Sequence, residues 1–122
     1  MSDDNTQSVD WSSMVRTDAG VPEVDIHWVH QNLGKVHVVD VREDHELTGP
    51  LGHIEGITHV PLGQIEQGSA DWDKSQGVVI LCRSGGRSGR AALWMENNGF
   101  TQVVSMAGGM IKWNEADLPK AQ

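Results

Sequence analysis

The chain holds one cysteine, one phenylalanine and no tyrosine in 122 residues. A single cysteine excludes an internal disulfide and leaves too few thiolates for a multi-cysteine zinc site; an unpaired thiol fits a reduced compartment. Positive charge is also scarce. Nine Lys and Arg stand against seventeen Asp and Glu, a formal charge of −8, so neither nucleic acid nor anionic membrane is an expected partner, since both reward clustered cations. No apolar run approaches the roughly 20 residues of a membrane span. The opening MSDDNTQSVDW lacks the basic start and apolar stretch of a secretory signal. Together these absences predict a soluble, cytoplasmic protein, with length enough for one self-sufficient core.

What is present is unevenly placed. The stretch VVILCRSGGRSGRAALWMENNG, residues 78 to 99, contains the lone Cys82 and gathers Arg83, Arg87 and Arg90, a third of the nine basic residues, within eight positions of it. Such a small cluster, confined to one glycine-rich loop, suits a small anion better than a polyanion.

Residues 1 to 20 read as a polar extension in which Trp11, Met14 and Val15 are available to dock on the body; residues 21 to 120 read as the domain. PEVDIHWVHQNL (22 to 33) has near-helical apolar spacing between Pro22 and Gly34. VHVVDVR (36 to 42), ITHVP (57 to 61), GVVILC (77 to 82) and TQVVSM (101 to 106) read as strands. Residues 44 to 56 read as turn and loop, 62 to 67 as one or two helical turns, and 88 to 98 and 108 to 119 as helices. Strands that are apolar throughout and alternate with helices predict an α/β fold: a mainly parallel central sheet of about five strands, flanked by helices on both faces. Sites in such sheets form where strands end and helices begin. Cys82 occupies such a junction.

Gly85 and Gly86 let the connection turn successive N–H groups inward as an anion-binding nest, and the unpaired N–H groups of the following helix add partial positive charge. Ser84 and Ser88 bring hydroxyls. A thiol at that focus is expected to be acidified and nucleophilic, because thiolate is the form the nest stabilises. The blander alternative is a buried, inert cysteine at the end of a core strand. The glycine pair, the arginines and the strand-to-helix setting weigh against it.

Four segments together resemble the single-domain form of the rhodanese family: VVDVRE (38 to 43), GHIEGITHVPL (52 to 62), LCRSGGRS (81 to 88) and GGMIKWNEADLP (108 to 119). The resemblance covers about residues 21 to 119; Thr58 and His59 replace the usual Ala and Asn, which bears on pocket lining and substrate inference. It implies a single rhodanese-like domain acting as a thiosulfate sulfurtransferase. Cys82 would attack the outer sulfur of thiosulfate or a similar donor, become a persulfide, and yield that sulfur to cyanide or a thiol. Residues 83 to 88 (Arg83, Ser84, Gly85, Gly86, Arg87, Ser88) would form the substrate cradle, with Arg87 orienting the anion and Arg83 steering it at the rim. Asp40, Arg42 and His53 are expected to support neighbouring loops. Neither a cofactor nor a metal is expected. With no second cysteine to resolve the persulfide, the acceptor must come from outside: cyanide, a small thiol or a partner protein's cysteine.

Two rivals remain beside this reading. A phosphatase or arsenate reductase also uses a cysteine loop, but with a cradle one residue longer before its arginine; here Ser88, not an arginine, stands at that position. A partner-binding or sulfur-carrier module would use the cysteine little or only as a carrier. His27 with His30, and His53 with His59, invite a metal reading, but zinc needs three or four converging ligands.

Overall fold

The computed structural model describes residues 9–122; the first eight residues of the expected extension lie outside that range. The strands are β1 (Val15–Arg16), β2 (Pro22–Val24), β3 (His37–Asp40), β4 (Thr58–His59), β5 (Val78–Leu81) and β6 (Val103–Met106). They form one six-stranded sheet in the order β1-β2-β6-β5-β3-β4. Only the β1–β2 pair is antiparallel. The helices are α1 (Ile26–Gln31), α2 (Asp44–Leu47), α3 (Ile65–Gly68), α4 (Gly86–Asn97) and α5 (Gly109–Glu115).

The central strands are apolar on both faces because both faces are covered. Alternate residues feed two separate cores. Val38, Val79, Leu81, Val104 and Met106 pack with Val29 of α1 and with Met110 and Trp113 of α5. Val39, Ile80 and Val103 pack with Ala91, Ala92 and Met95 of α4 and with Ile65 of α3. Cys82, one residue beyond β5, falls on the α4 side and belongs to the second core. The period of two therefore sets which helix the thiol faces.

Three local expectations change. The helix expected over 22 to 33 divides: Pro22–Val24 is β2, parallel to β6, and the helix begins only after Asp25, whose carboxylate caps it by accepting from the His27 N–H at 2.7 Å. The loop expected over 44 to 56 opens with α2. The four strands read in the sequence are joined by β2 and by a two-residue edge strand, β1, which pairs with β2. The Trp11 and Trp28 rings lie against each other, tilted by 40°, with centroids 4.9 Å apart.

Candidate active site

The chain leaves β5 at Leu81, passes through Cys82 and enters α4 at Gly86. Between them Gly85 takes φ 115°, a left-handed conformation that a side chain resists, and acts as the N-cap of α4. This bend turns two amides onto the sulfur. The Gly85 N–H donates to Cys82 Sγ at 3.1 Å and the Ser88 N–H at 3.3 Å. Ser88 Oγ lies 3.4 Å from Sγ on the same side. Burial alone would push the thiol pKa up, but the Ser88 hydroxyl and the Ser88, Gly85 and Ser84 amides outweigh it and hold the pKa below the usual thiol value.

The outside of the loop is held by α5. The Met110 N–H donates to the Cys82 carbonyl at 2.9 Å and the Ile111 N–H to the Arg83 carbonyl at 3.0 Å. First-turn amides have no partner within their own helix; here they engage the loop carbonyls on the side away from the sulfur. Gly109 makes the approach possible. Its φ is 59°, and a Cβ there would stand 2.5 Å from both carbonyl oxygens.

Arg87 does not point freely into the bowl. Its guanidinium grips the Glu46 carboxylate bidentately, at 2.7 and 2.9 Å. That hydrogen-bonded pairing with Arg87, opposed by partial burial and helped by the Glu43 amide, holds the Glu46 pKa down at about 2. Arg87 is close enough to Cys82 for the sulfur's charge to act on it as well. Arg83 and Arg90, by contrast, are exposed and form no ion pair among the described residues.

A strand leading into cysteine, a tight loop of inward amides and a helix N-terminus beside a paired arginine surround the sulfur with hydrogen-bond donors. A family model described as Rhodanese-like domain matches residues 25–116. The chain belongs to the rhodanese-like domain family. Among its relatives is a thiosulfate sulfurtransferase, GlpE, of Vibrio cholerae, 31% identical over 85 residues, covering 70% of this chain and 78% of the relative. The Bacillus subtilis protein YrkF is 32% identical over 98 residues, and the match spans 78% of this chain but only 52% of YrkF. In fold, the chain is similar to the crystal structure of a rhodanese-related protein from Thermoplasma volcanium, with a TM-score of 0.72, 24% identity, and coverage of 80% of this chain and 94% of that one.

In this rhodanese-like domain Asp40, Arg42 and His53 make no hydrogen bond to the sulfur among the described residues. Arg42 and Asp40 form a buried ion pair, with Nη2 and Nε at 2.9 to 3.2 Å from the carboxylate. Arg42 also donates to the Gly52 carbonyl at 2.8 Å and to the Glu46 carbonyl at 3.4 Å. His53 Nδ1 lies 2.9 Å from the Leu47 carbonyl. Arg42 and His53 thus hydrogen-bond α2 and the segment after it, and Asp40 holds Arg42. Glu46, which α2 carries, holds Arg87. His59 contacts the Arg42 carbonyl at 2.7 Å, and among the described residues no group of three or more His, Cys, Asp or Glu is placed to hold a metal. Trp72 packs edge-on against His37 with centroids 4.4 Å apart, at the start of β3 and so at the opposite end of the sheet from Cys82. None of the helices described is long and apolar enough to cross a membrane.

Sequence reasoning missed Glu46 and Ser105, and took Gly109 only as part of the segment GGMIKWNEADLP. Ser105 is fully buried in β6, with its Oγ 2.7 Å from Ser88 Oγ. A polar residue within the otherwise apolar strand VVSM was the available signal.

Proposed function

We propose that this domain is a sulfurtransferase that carries a sulfane sulfur on Cys82. The observation that carries the reading is the Sγ-centred ring, in which two backbone amides and a serine hydroxyl converge on a sulfur whose thiolate they favour. The thiolate attacks the outer sulfur of thiosulfate or a similar small anionic donor. A Cys82 S–S bond forms, the donor's S–S bond breaks, and sulfite leaves with the electron pair. The persulfide, its outer sulfur about 2 Å from Sγ, is then attacked by cyanide, a small thiol or a partner protein's cysteine, and the bonding electrons return to Cys82 as thiolate. No general base is required. The amides stabilise negative charge on sulfur both before and after transfer.

Cys82 is only 1% exposed, which favours a slender donor that presents its reactive sulfur end-on. Arg83 and Arg90, exposed in a chain of charge −8, gather anions at the rim. A phosphatase reading finds less support, because the arginine that would clasp a phosphate is already clasped by Glu46. A reduced, cytoplasmic setting suits a lone thiol that must remain free.

Steady-state turnover tests the reading. Thiosulfate with cyanide should yield thiocyanate with the parent chain, Cys82→Ala should reduce the rate to background, and an aryl phosphate should not be hydrolysed above background. Thiocyanate formation that persists in Cys82→Ala, or faster release from the aryl phosphate, would overturn it.

A further inference from the structure

Ser88 carries one hydroxyl proton and three neighbours compete for it. Its Oγ lies 3.2 Å from the Gly85 carbonyl, 2.7 Å from Ser105 Oγ and 3.4 Å from Cys82 Sγ. Ser105 is fully buried, and Ser88 is its only hydrogen-bond partner through the side chain among the described residues. In β6 the alternation places Val104 and Met106 in the core beneath α1 and α5, and Val103 in the core beneath α4. Ser105 therefore stands on the α4 face, the same face as Cys82.

A hydroxyl donates once and accepts twice. When the sulfur is a thiol, its S–H can donate to Ser88 Oγ, and the Ser88 proton then goes to Ser105 or to the Gly85 carbonyl. When the sulfur is anionic, the arrangement that satisfies every group reverses: Ser105 donates to Ser88, and Ser88 donates to Sγ. We propose that Ser105 is a positioning residue of this site, whose hydroxyl donates to Ser88 Oγ and so directs the Ser88 proton at the Cys82 sulfur when that sulfur is anionic. The two hydroxyls turn together with the charge on sulfur, so that a pair wholly out of solvent responds to each transfer step.

The charged groups around the pair do not account for this role. On the α4 side they are Arg87 and, bound to it, Glu46 of α2, with Glu43 close by, and the exposed Arg83 and Arg90; on the side of β3 are Asp40 and Arg42, paired with each other. β6 and β5 contribute no ionisable side chain next to Cys82. The first turns of α5 offer only Lys112, which is exposed and lies over Gly108. None of these hydrogen-bonds Ser105.

This inference deepens the proposed sulfur chemistry, but its test uses no sulfur donor. With one cysteine in the chain, the thiol pKa can be read from thiolate absorbance and from the pH dependence of alkylation by iodoacetamide. Ser88→Ala should raise it by about one unit or more, as expected for loss of a hydrogen bond to a charged group, and Ser105→Ala by about half a unit to one unit. In the Ser88→Ala background, Ser105→Ala should add almost nothing, because the effect passes through Ser88. Ser105→Thr, which keeps the hydroxyl, should titrate as the parent does. The role is overturned if Ser105→Ala leaves the pKa unchanged, if it shifts the pKa equally with and without Ser88, or if Ser105→Thr behaves like Ser105→Ala. Failure to accept sulfur from thiosulfate with this titration pattern intact would instead count against the proposed reaction alone.

Discussion

Gly109→Ala is expected to lower sulfur-transfer kcat/KM about a hundredfold, the scale of loss that follows a displacement of about 1 Å in reacting groups. The new methyl would sit 2.5 Å from the Cys82 and Arg83 carbonyl oxygens. Both are backbone atoms, so the loop or α5 must give way, and with it the alignment of the Gly85 and Ser88 amides on sulfur. The left-handed φ of 59° adds strain of about 1 to 3 kcal/mol and overpacking about as much again. Gly108→Ala separates the two effects. Gly108 is also left-handed, at φ 80°, but a Cβ there meets the root of the Lys112 side chain, its Cβ and Cγ, rather than the loop carbonyls. It should lose stability and keep most of its activity. Equal activity loss in both variants would show that the buttress by α5 does not set the loop.

Glu46→Gln should destabilise the fold and yet make the thiol more acidic. The carboxyl falls from an ordinary 4.5 to about 2, chiefly because Arg87 hydrogen-bonds to its charged form, and its side chain is 19% exposed. That depression corresponds to at most about 3 kcal/mol of stability. A carboxylate whose pKa is depressed on folding contributes fully above its unfolded value and loses that contribution as pH falls through its folded one. The parent should therefore outlast Glu46→Gln in urea at neutral pH, and the gap should narrow as pH drops from 4.5 toward 2. At the sulfur the sign is opposite. Removing the carboxylate leaves the Arg87 charge uncompensated beside Cys82, which favours thiolate. A variant as stable as the parent at neutral pH, or one with a raised thiol pKa, would contradict the role given to this pair.

The large features were legible because each follows from local chemistry. The runs VVILC and VHVVDV admit little besides strands buried on both faces, and a cysteine followed by arginine, serine and paired glycines at a strand-to-helix junction points to an amide nest. What escaped depends on contacts far apart in sequence. A helix of four residues such as α2 offers no periodicity to detect, and the partnership of Glu46 with Arg87 spans 41 positions. Pro22–Val24 is too short to alternate visibly, and its apolar residues matched the spacing of the helix behind it. Gly109 was seen as part of a family motif, but its purpose appears only when α5 is packed against the loop carbonyls. The placement of α2 beside α4 likewise escaped: it sets the Arg87 fork on Glu46, and the Arg87 charge reaches Cys82 through space.

The central claim is that Cys82 itself carries the sulfur in transit. Intact mass of the chain after brief incubation with thiosulfate, without acceptor, tests this most directly. The parent chain should gain one sulfur atom, a gain absent in Cys82→Ala and discharged on adding cyanide. A parent chain whose thiol is readily alkylated but which gains no mass, or a gain that survives in Cys82→Ala, would contradict it.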